Sequence, residues 1–353
     1  MSRPNLFPVG RHALAWIRRG KRPTRCGRLQ MLMIRWQSLW FDYNRSLQER
    51  LPVSPPIKTH PIFILGMWRS GTTYLHELLA GCPGHFSPET WQCMNPTSFR
   101  LQRSPPRMKF ALRPMDGLPI DTLSPQEDEF ALMALGVPST YLAFFDPRRL
   151  PELEQWLDPR NWLDTHHEKW LEIFQTFLRD VAGGRNGTLV LKSPAHSFRI
   201  AALIKEFPES KFIWLVRDPH DTLLSNRKMW LSMFMEYGLW DPDPRLLDVF
   251  LEKSLLFAVE GLKHAVSNLE RDRLIVLRFE QLTDATVETI ARITDRLHIG
   301  DWTKMLDPVL SLAGSRKGHR VEKYDRGPLP DGLEFATHKY GLAINEASVS
   351  HGL

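Results

Sequence analysis

The chain is 353 residues long, 42% hydrophobic and 24% charged, an ordinary globular composition with ample material for a core. No apolar run approaches the roughly 18 residues a spanning helix needs. The cationic start MSRPNLFPVGRHALAWIRRGKR lacks the continuous apolar stretch of a secretory signal, and Cys26, Cys82 and Cys93 form neither a disulfide framework nor a zinc pattern, so a reducing, cytoplasmic setting fits. A net charge of +6 with a pI near 9.3 favours an anionic ligand or an acidic surface as partner.

Residues 11–50 read as a helix rich in Arg and heavy aromatics, with Leu32, Trp36, Trp40, Tyr43 and Leu47 at close to helical spacing. That face either packs on the main body, roofs an apolar substrate, or makes a peripheral contact with the inner membrane surface. Leu51 to His60 is Pro-rich and reads as a linker. The expected division is therefore an N-terminal helical extension with its linker over residues 1–58, followed by a single α/β domain over 59–353.

The stretch from Pro61 to Leu79 organises the rest. Ile62 to Leu65 is a short apolar run bounded by Pro61 and Gly66, the pattern of a buried strand. From Thr72 onward, Leu75, Leu78 and Leu79 share one side of a helix. Between them lies Gly66-x4-Gly71-Thr72-Thr73, with the spacing of a phosphate-binding loop. A nucleoside-triphosphate loop has Lys where this chain has Thr72; the cation here is Arg69. Gly71 permits close backbone approach, the first helix amides point at the anion, and Ser70, Thr72 and Thr73 offer hydroxyls. An ordinary strand-to-helix turn needing Gly for its geometry is the alternative.

Residues 101–120 are basic and Pro-rich and read as an irregular excursion. Ser124-Pro125-Gln126-Glu127 has the look of a helix start with Ser as cap, and Glu127, Asp128 and Glu129 in the first turn would complement its dipole. Residues 150–182 read as helical. Leu189 to Leu191 is a strand ending in Lys192-Ser193-Pro194, a helix follows to Pro208, and Lys211 to Val216 is a strand ending in Arg217-Asp218-Pro219 before a helix that carries Ser225. Leu274 to Leu277 is a further strand, leading into Phe279-Glu280-Gln281-Leu282 and a helix through Leu297. Strand and helix in alternation predict a parallel sheet flanked by helices, with its ligand beyond the carboxyl ends of the strands. Gly66 to Thr73, Lys192 and Arg217 all fall at such ends. Ser315 to Arg320 is a basic loop able to close over an anion or simply a solvated charge run.

These residues resemble the sulfotransferases that use 3′-phosphoadenosine 5′-phosphosulfate (PAPS). Arg69-Ser70-Gly71-Thr72-Thr73 is similar to that family's 5′-phosphosulfate loop, and Arg217-Asp218-Pro219 with Ser225 is similar to its 3′-phosphate motif. The similarity runs from about Pro61 to Leu297 and is closest to the bacterial enzymes and the tyrosylprotein sulfotransferases. Trp68, where relatives usually have Pro, and Phe279, where they often have Tyr, depart from the pattern. The resemblance implies a P-loop-like parallel sheet of sulfotransferase fold and no metal. Arg69 would hold the 5′-phosphate and sulfonate with Ser70 to Thr73, Lys192 would stabilise the transferring group, and Arg217 and Ser225 would hold the 3′-phosphate. Arg316, Lys317 and Gly318 only loosely match the family's nucleotide-closing loop.

The acceptor hydroxyl needs a base within hydrogen-bond reach. Glu89 follows the loop at a spacing similar to the tyrosylprotein enzymes' catalytic Glu, off by about one residue; Glu127 and Asp128 are the other carboxylates, and His196 lies just after Lys192. Trp36, Trp40, Trp91, Met94, Met229, Trp230 and Met233 either line a pocket for an apolar or lipid-like alcohol or belong to the core. A P-loop small-molecule kinase would need Lys at position 72 and an acidic Mg²⁺ site, and a nucleotide-binding protein of the same fold without catalysis is the other alternative. Nothing reads as a nucleic-acid module, and oligomeric state is open.

Overall fold

A computed structural model of the chain describes residues 10, 14–15, 28–102, 104–105, 109–113, 117–158, 162–315, 324 and 327–352. Among them run seven strands: β1 (Ile62–Leu65), β2 (His85–Phe86), β3 (Lys109–Leu112), β4 (Pro119–Asp121), β5 (Thr188–Lys192), β6 (Lys211–Val216) and β7 (Leu274–Arg278). The chain divides into two compact units, one from Met1–Ile57, Pro88–Arg185 and Lys228–Phe250, the other from Lys58–Ser87, Asn186–Arg227 and Leu251–Leu353.

The second unit holds a five-stranded sheet in the order β2-β5-β1-β6-β7, every pairing parallel. Its strands read as unbroken apolar runs because both faces are covered. On one face Ile62, Ile64, Val190, Ile213, Leu215, Ile275 and Leu277 pack with Leu75, Leu78 and Leu79 of the helix Thr72–Ala80 and with Ile290, Ile293 and Leu297 of the helix Thr286–Leu297. On the other, Phe63 stacks on Phe212 with ring centroids 5.4 Å apart and meets the edge of His196 at 5.6 Å. Strand side chains alternate faces, so Ile62 and Ile64 point one way and Phe63 the other. The order also makes β1 a switch point. The chain leaves it for β2 and β5 on one side and later for β6 and β7 on the other, which opens a crevice beyond its carboxyl end.

The first unit contains the helices Arg28–Gln48, Asp128–Leu135 and Asp164–Ala182, together with the antiparallel pair β3 and β4. Ile34, Ser38, Phe41 and Asn44 form the buried side of Arg28–Gln48. Gln48 secures its end, donating to the Pro96 carbonyl at 2.9 Å and accepting from the Arg100 amide at 3.2 Å. Asp180 gathers the Ser54 hydroxyl at 2.6 Å and the Arg100 guanidinium at 3.2 Å, pinning the Pro-rich segment to the long helix.

Several expectations change. Residues 101–120 are not wholly irregular, since β3 and β4 pair across a turn in which Gly117 (φ 65) reverses the chain. Residues 150–182 are not one helix but Leu150–Leu153, a 3₁₀ turn Glu154–Leu157 and Asp164–Ala182. Ser124 is not a helix cap. Its hydroxyl turns back to Asp121 at 2.8 Å, Pro125 pairs with Glu89 as an isolated antiparallel bridge, and the helix starts later with Glu127 as its N-cap residue. The helix after Lys192 is broken at Arg199 into Pro194–Phe198 and Ile200–Glu206. On Arg28–Gln48, Leu32, Trp36, Trp40 and Tyr43 do not pack on the body but stand exposed, because a second stripe already fills the buried side.

Phe63→Ala should cost about 3–5 kcal/mol, the range for truncating a fully buried aromatic ring, because Phe63 is 0% exposed and packed on three rings. A fall in the urea midpoint with an unchanged slope would show it; an unmoved midpoint would mean the sheet's second face is not a core.

Candidate active site

The site grows out of the turn after β1. Gly66 has φ 141, and a Cβ there would lie 2.3 Å from the Leu215 carbonyl oxygen on β6. Gly71 has φ 94, and its Cβ would lie 2.3 Å from the Phe279 ring. Both positions therefore require glycine on two counts, left-handed backbone and lack of space. Arg69 adopts φ 67, an uncommon conformation for a residue with a side chain.

The turn is held by groups from other segments. The Ser197 hydroxyl accepts from the Gly66 amide at 2.7 Å and lies 3.2 Å from the Gly66 carbonyl. The Asn226 amide donates to the Trp68 carbonyl at 2.7 Å and to the Thr222 carbonyl at 2.8 Å. The Ser70 hydroxyl donates to the Met67 carbonyl at 2.8 Å. No side chain caps the helix Thr72–Ala80 that follows, whose N-cap residue is Gly71. Its first amides, at the positive end of the helix dipole, face the cradle and can serve an anion.

Cations converge from the neighbouring strands. Lys192, the last residue of β5 and almost fully buried, has its ammonium 3.4 Å from the Thr73 hydroxyl. Arg217 follows β6; it donates to the Arg69 carbonyl at 3.4 Å, lies 4.0 Å from the Asp221 carboxylate and stands over the Phe279 ring, 5.2 Å from its centroid. Arg69 Nε donates to the Ser225 hydroxyl at 3.2 Å, which the Tyr324 hydroxyl also contacts at 3.1 Å. The second unit thus brings together Arg69 to Thr73, Lys192, Arg217 and Ser225. Arg316, Lys317 and Gly318 lie outside the described residues.

The carboxylates belong to the first unit. Glu89 heads the helix Thr90–Met94 in a reciprocal capping arrangement with Gln92, and its carboxylate accepts from the Trp91 indole N–H at 2.6 Å. Glu127 accepts a hydrogen bond from the Tyr141 hydroxyl. Asp128 begins the helix Asp128–Leu135 and is fully buried. Backbone bonds from Gln126 to Pro88 at 2.9 Å and from Thr90 to Ser124 at 2.9 Å set the Glu89 and Glu127 segments side by side. His196 is buried with its ring edge-on to Phe63, in the sheet's core packing. Trp91, Met229, Trp230 and Met233 are buried, with Trp230 among Tyr141, Phe144 and Phe234. Among the described residues, no group of three or more His, Cys, Asp or Glu is arranged to hold a metal ion.

Sequence reasoning missed Ser197, Asn226 and Tyr324, and saw Phe279 only as a lost hydroxyl. Ser197 and Asn226 act through side-chain bonds to backbone more than 130 residues away, which no local spacing reveals. Phe279 immediately follows β7, at the same sheet edge as the other three strand ends, and that position was the available signal.

His76 sits in the helix behind the cradle and is completely buried, its Nε2–H directed at the Val190 carbonyl at 3.3 Å. Burial, then the nearby Lys192 charge, lower its pKa from 6.5 to about 3. The folded chain refuses a proton that the unfolded chain accepts, so this contribution to stability is complete above about 6.5 and is lost as the pH falls toward 3. His76→Asn should flatten the fall in urea midpoint between pH 7 and pH 5; a slope like that of the unaltered protein would remove His76 as a cause.

A central parallel strand that turns into a glycine cradle, ringed by a Lys and two Arg, defines an anion-binding α/β protein of P-loop-like type. The chain belongs to the sulfotransferase family, whose sequence model matches residues 61–304. It is 30% identical over 318 residues to the omega-hydroxy-beta-dihydromenaquinone-9 sulfotransferase Stf3 of Mycobacterium bovis, covering 89% of this chain and 76% of that one. The Mycobacterium tuberculosis protein of the same name matches equally. Among solved structures, the sulfotransferase STF1 of Mycobacterium tuberculosis shares the fold at a TM-score of 0.55 with 15% identity, over 96% of this chain and 90% of that one. STF9 of Mycobacterium avium does so at 0.52 with 20% identity, over 88% and 78%.

Proposed function

We propose that this sulfotransferase moves the sulfuryl group of PAPS onto the hydroxyl of an apolar, lipid-like alcohol. The observation that carries the donor assignment is the cluster of glycine cradle, Lys192, Arg217 and Ser225 at three adjacent strand ends. The helix Thr72–Ala80 opens without a side-chain cap, so its first amides can donate to a phosphosulfate, and a second basic group at Arg217 suits a nucleotide with a further phosphate on its ribose. Thr72 in place of Lys speaks against a nucleoside-triphosphate donor.

In the reaction the acceptor oxygen forms a bond to sulfur while the bond from sulfur to the 5′-phosphate oxygen breaks. The products are a sulfate ester and 3′-phosphoadenosine 5′-phosphate, and the hydroxyl proton passes to a base. Lys192, Arg69 and the amides of Ser70 to Thr73 would meet the charge developing on the equatorial and leaving oxygens. Glu89 and Glu127 are the proposed bases. Each carboxylate already accepts a hydrogen bond from an aromatic side chain, Trp91 for Glu89 and Tyr141 for Glu127, which would help fix its direction. The acceptor class is supported by the relative named for a hydroxylated dihydromenaquinone.

Calorimetry should show 3′-phosphoadenosine 5′-phosphate binding well ahead of ADP and ATP without magnesium; preference for ATP would overturn the donor assignment. Arg217→Ala should weaken the 3′-phosphorylated nucleotide by about tenfold or more, the loss of a charge-assisted contact, while sparing AMP. Equal loss for both would mean Arg217 reads no 3′-phosphate. Lys192→Ala should lower turnover far more than donor affinity; the reverse would make it a binding residue only.

A further inference from the structure

The helix Arg28–Gln48 carries a buried stripe and an exposed apolar one. One is the buried side formed by Ile34, Ser38, Phe41 and Asn44. The other presents Leu32, Met33, Trp36, Leu39, Trp40 and Tyr43 to solvent, with Trp36 72% and Trp40 66% exposed. At 3.6 residues per turn these six span about 120° of the helix surface and expose on the order of 500 Å². Monomeric soluble proteins rarely leave so large an apolar patch unused. Trp40 and Tyr43 lean together with ring centroids 5.9 Å apart, and exposed Arg35 flanks the stripe.

Charge tells the occupants apart. Residues 1–50 hold eleven Lys and Arg against two acids, whereas the remaining 303 residues hold 35 against 38. The basic excess of the whole chain is therefore a property of this segment. A second copy carries the same basic excess and so opposes a self-contact electrostatically. An anionic lipid surface complements that excess, and it takes a convex Trp- and Tyr-rich face without needing a groove. We infer that this face lies in the headgroup region of an anionic bilayer, with Trp36 and Trp40 inserted and Arg35 beside them on lipid phosphate.

Co-sedimentation of the full chain with vesicles of phosphatidylcholine, with and without about one third phosphatidylglycerol, tests this. Binding is expected on the anionic vesicles, much less on the neutral ones, and it should weaken in high salt. Trp36→Ser with Trp40→Ser should reduce binding by about tenfold or more, as the loss of two inserted aromatic side chains requires. Both side chains are largely exposed, so thermal melting and 3′-phosphoadenosine 5′-phosphate binding should not change. Brominated lipid should quench the fluorescence of the unaltered protein more than that of the double variant. No binding by the unaltered protein, or equal binding and quenching by the variant, would overturn the inference. So would a dimer in solution that the double variant disperses while vesicle binding is absent.

Discussion

Everything at the carboxyl edge of the sheet depends on a chain reversal that side chains would block. β1 is the central strand, and its exit must pass within 2.3 Å, for any Cβ, of the Leu215 carbonyl on β6 and of the Phe279 ring. Glycine at 66 and 71 makes the passage possible, and Ser197 and Asn226 tie it to neighbouring segments. A phosphate cradle that is rigid before ligand arrives loses little conformational entropy on binding. The left-handed Arg69 fits the same picture, as local strain that the surrounding bonds hold in place.

Electrostatics then divides along the two units. Cations and the amides of a helix terminus gather in one, while the carboxylates weighed as bases lie in the other. Burial first, and the Lys192 charge second, keep the His76 ring neutral throughout the neutral pH range.

Much of the sheet was legible because parallel strands covered on both faces are written as unbroken runs such as IFIL and KFIWLV, each closed by Gly, Lys or Arg. That Arg69 to Thr73, Lys192 and Arg217 would meet at one sheet edge was legible for the same reason, since each follows or ends a strand. Strand order was not, because β5 reaches β1 across more than a hundred residues. The misread parts are those where local chemistry had two uses. Ser124 has the composition of a cap but bonds backward to Asp121, and Glu127 takes over the start of the helix. The aromatic periodicity of Leu32, Trp36, Trp40 and Tyr43 was real, yet periodicity reports a face and not which side of the helix is buried. Ile34 and Phe41 settle that, and only packing reveals them.

The Ser197 hydroxyl has a consequence of its own. It bridges the amide and carbonyl of Gly66 from the short helix directly after Lys192, so the start of the cradle and the root of the Lys192 side chain share one mechanical joint. Thermal displacement of β5 would then carry the start of the cradle with it, so the two move together. A binding edge assembled from distant segments can in this way keep its internal distances while it drifts as a body.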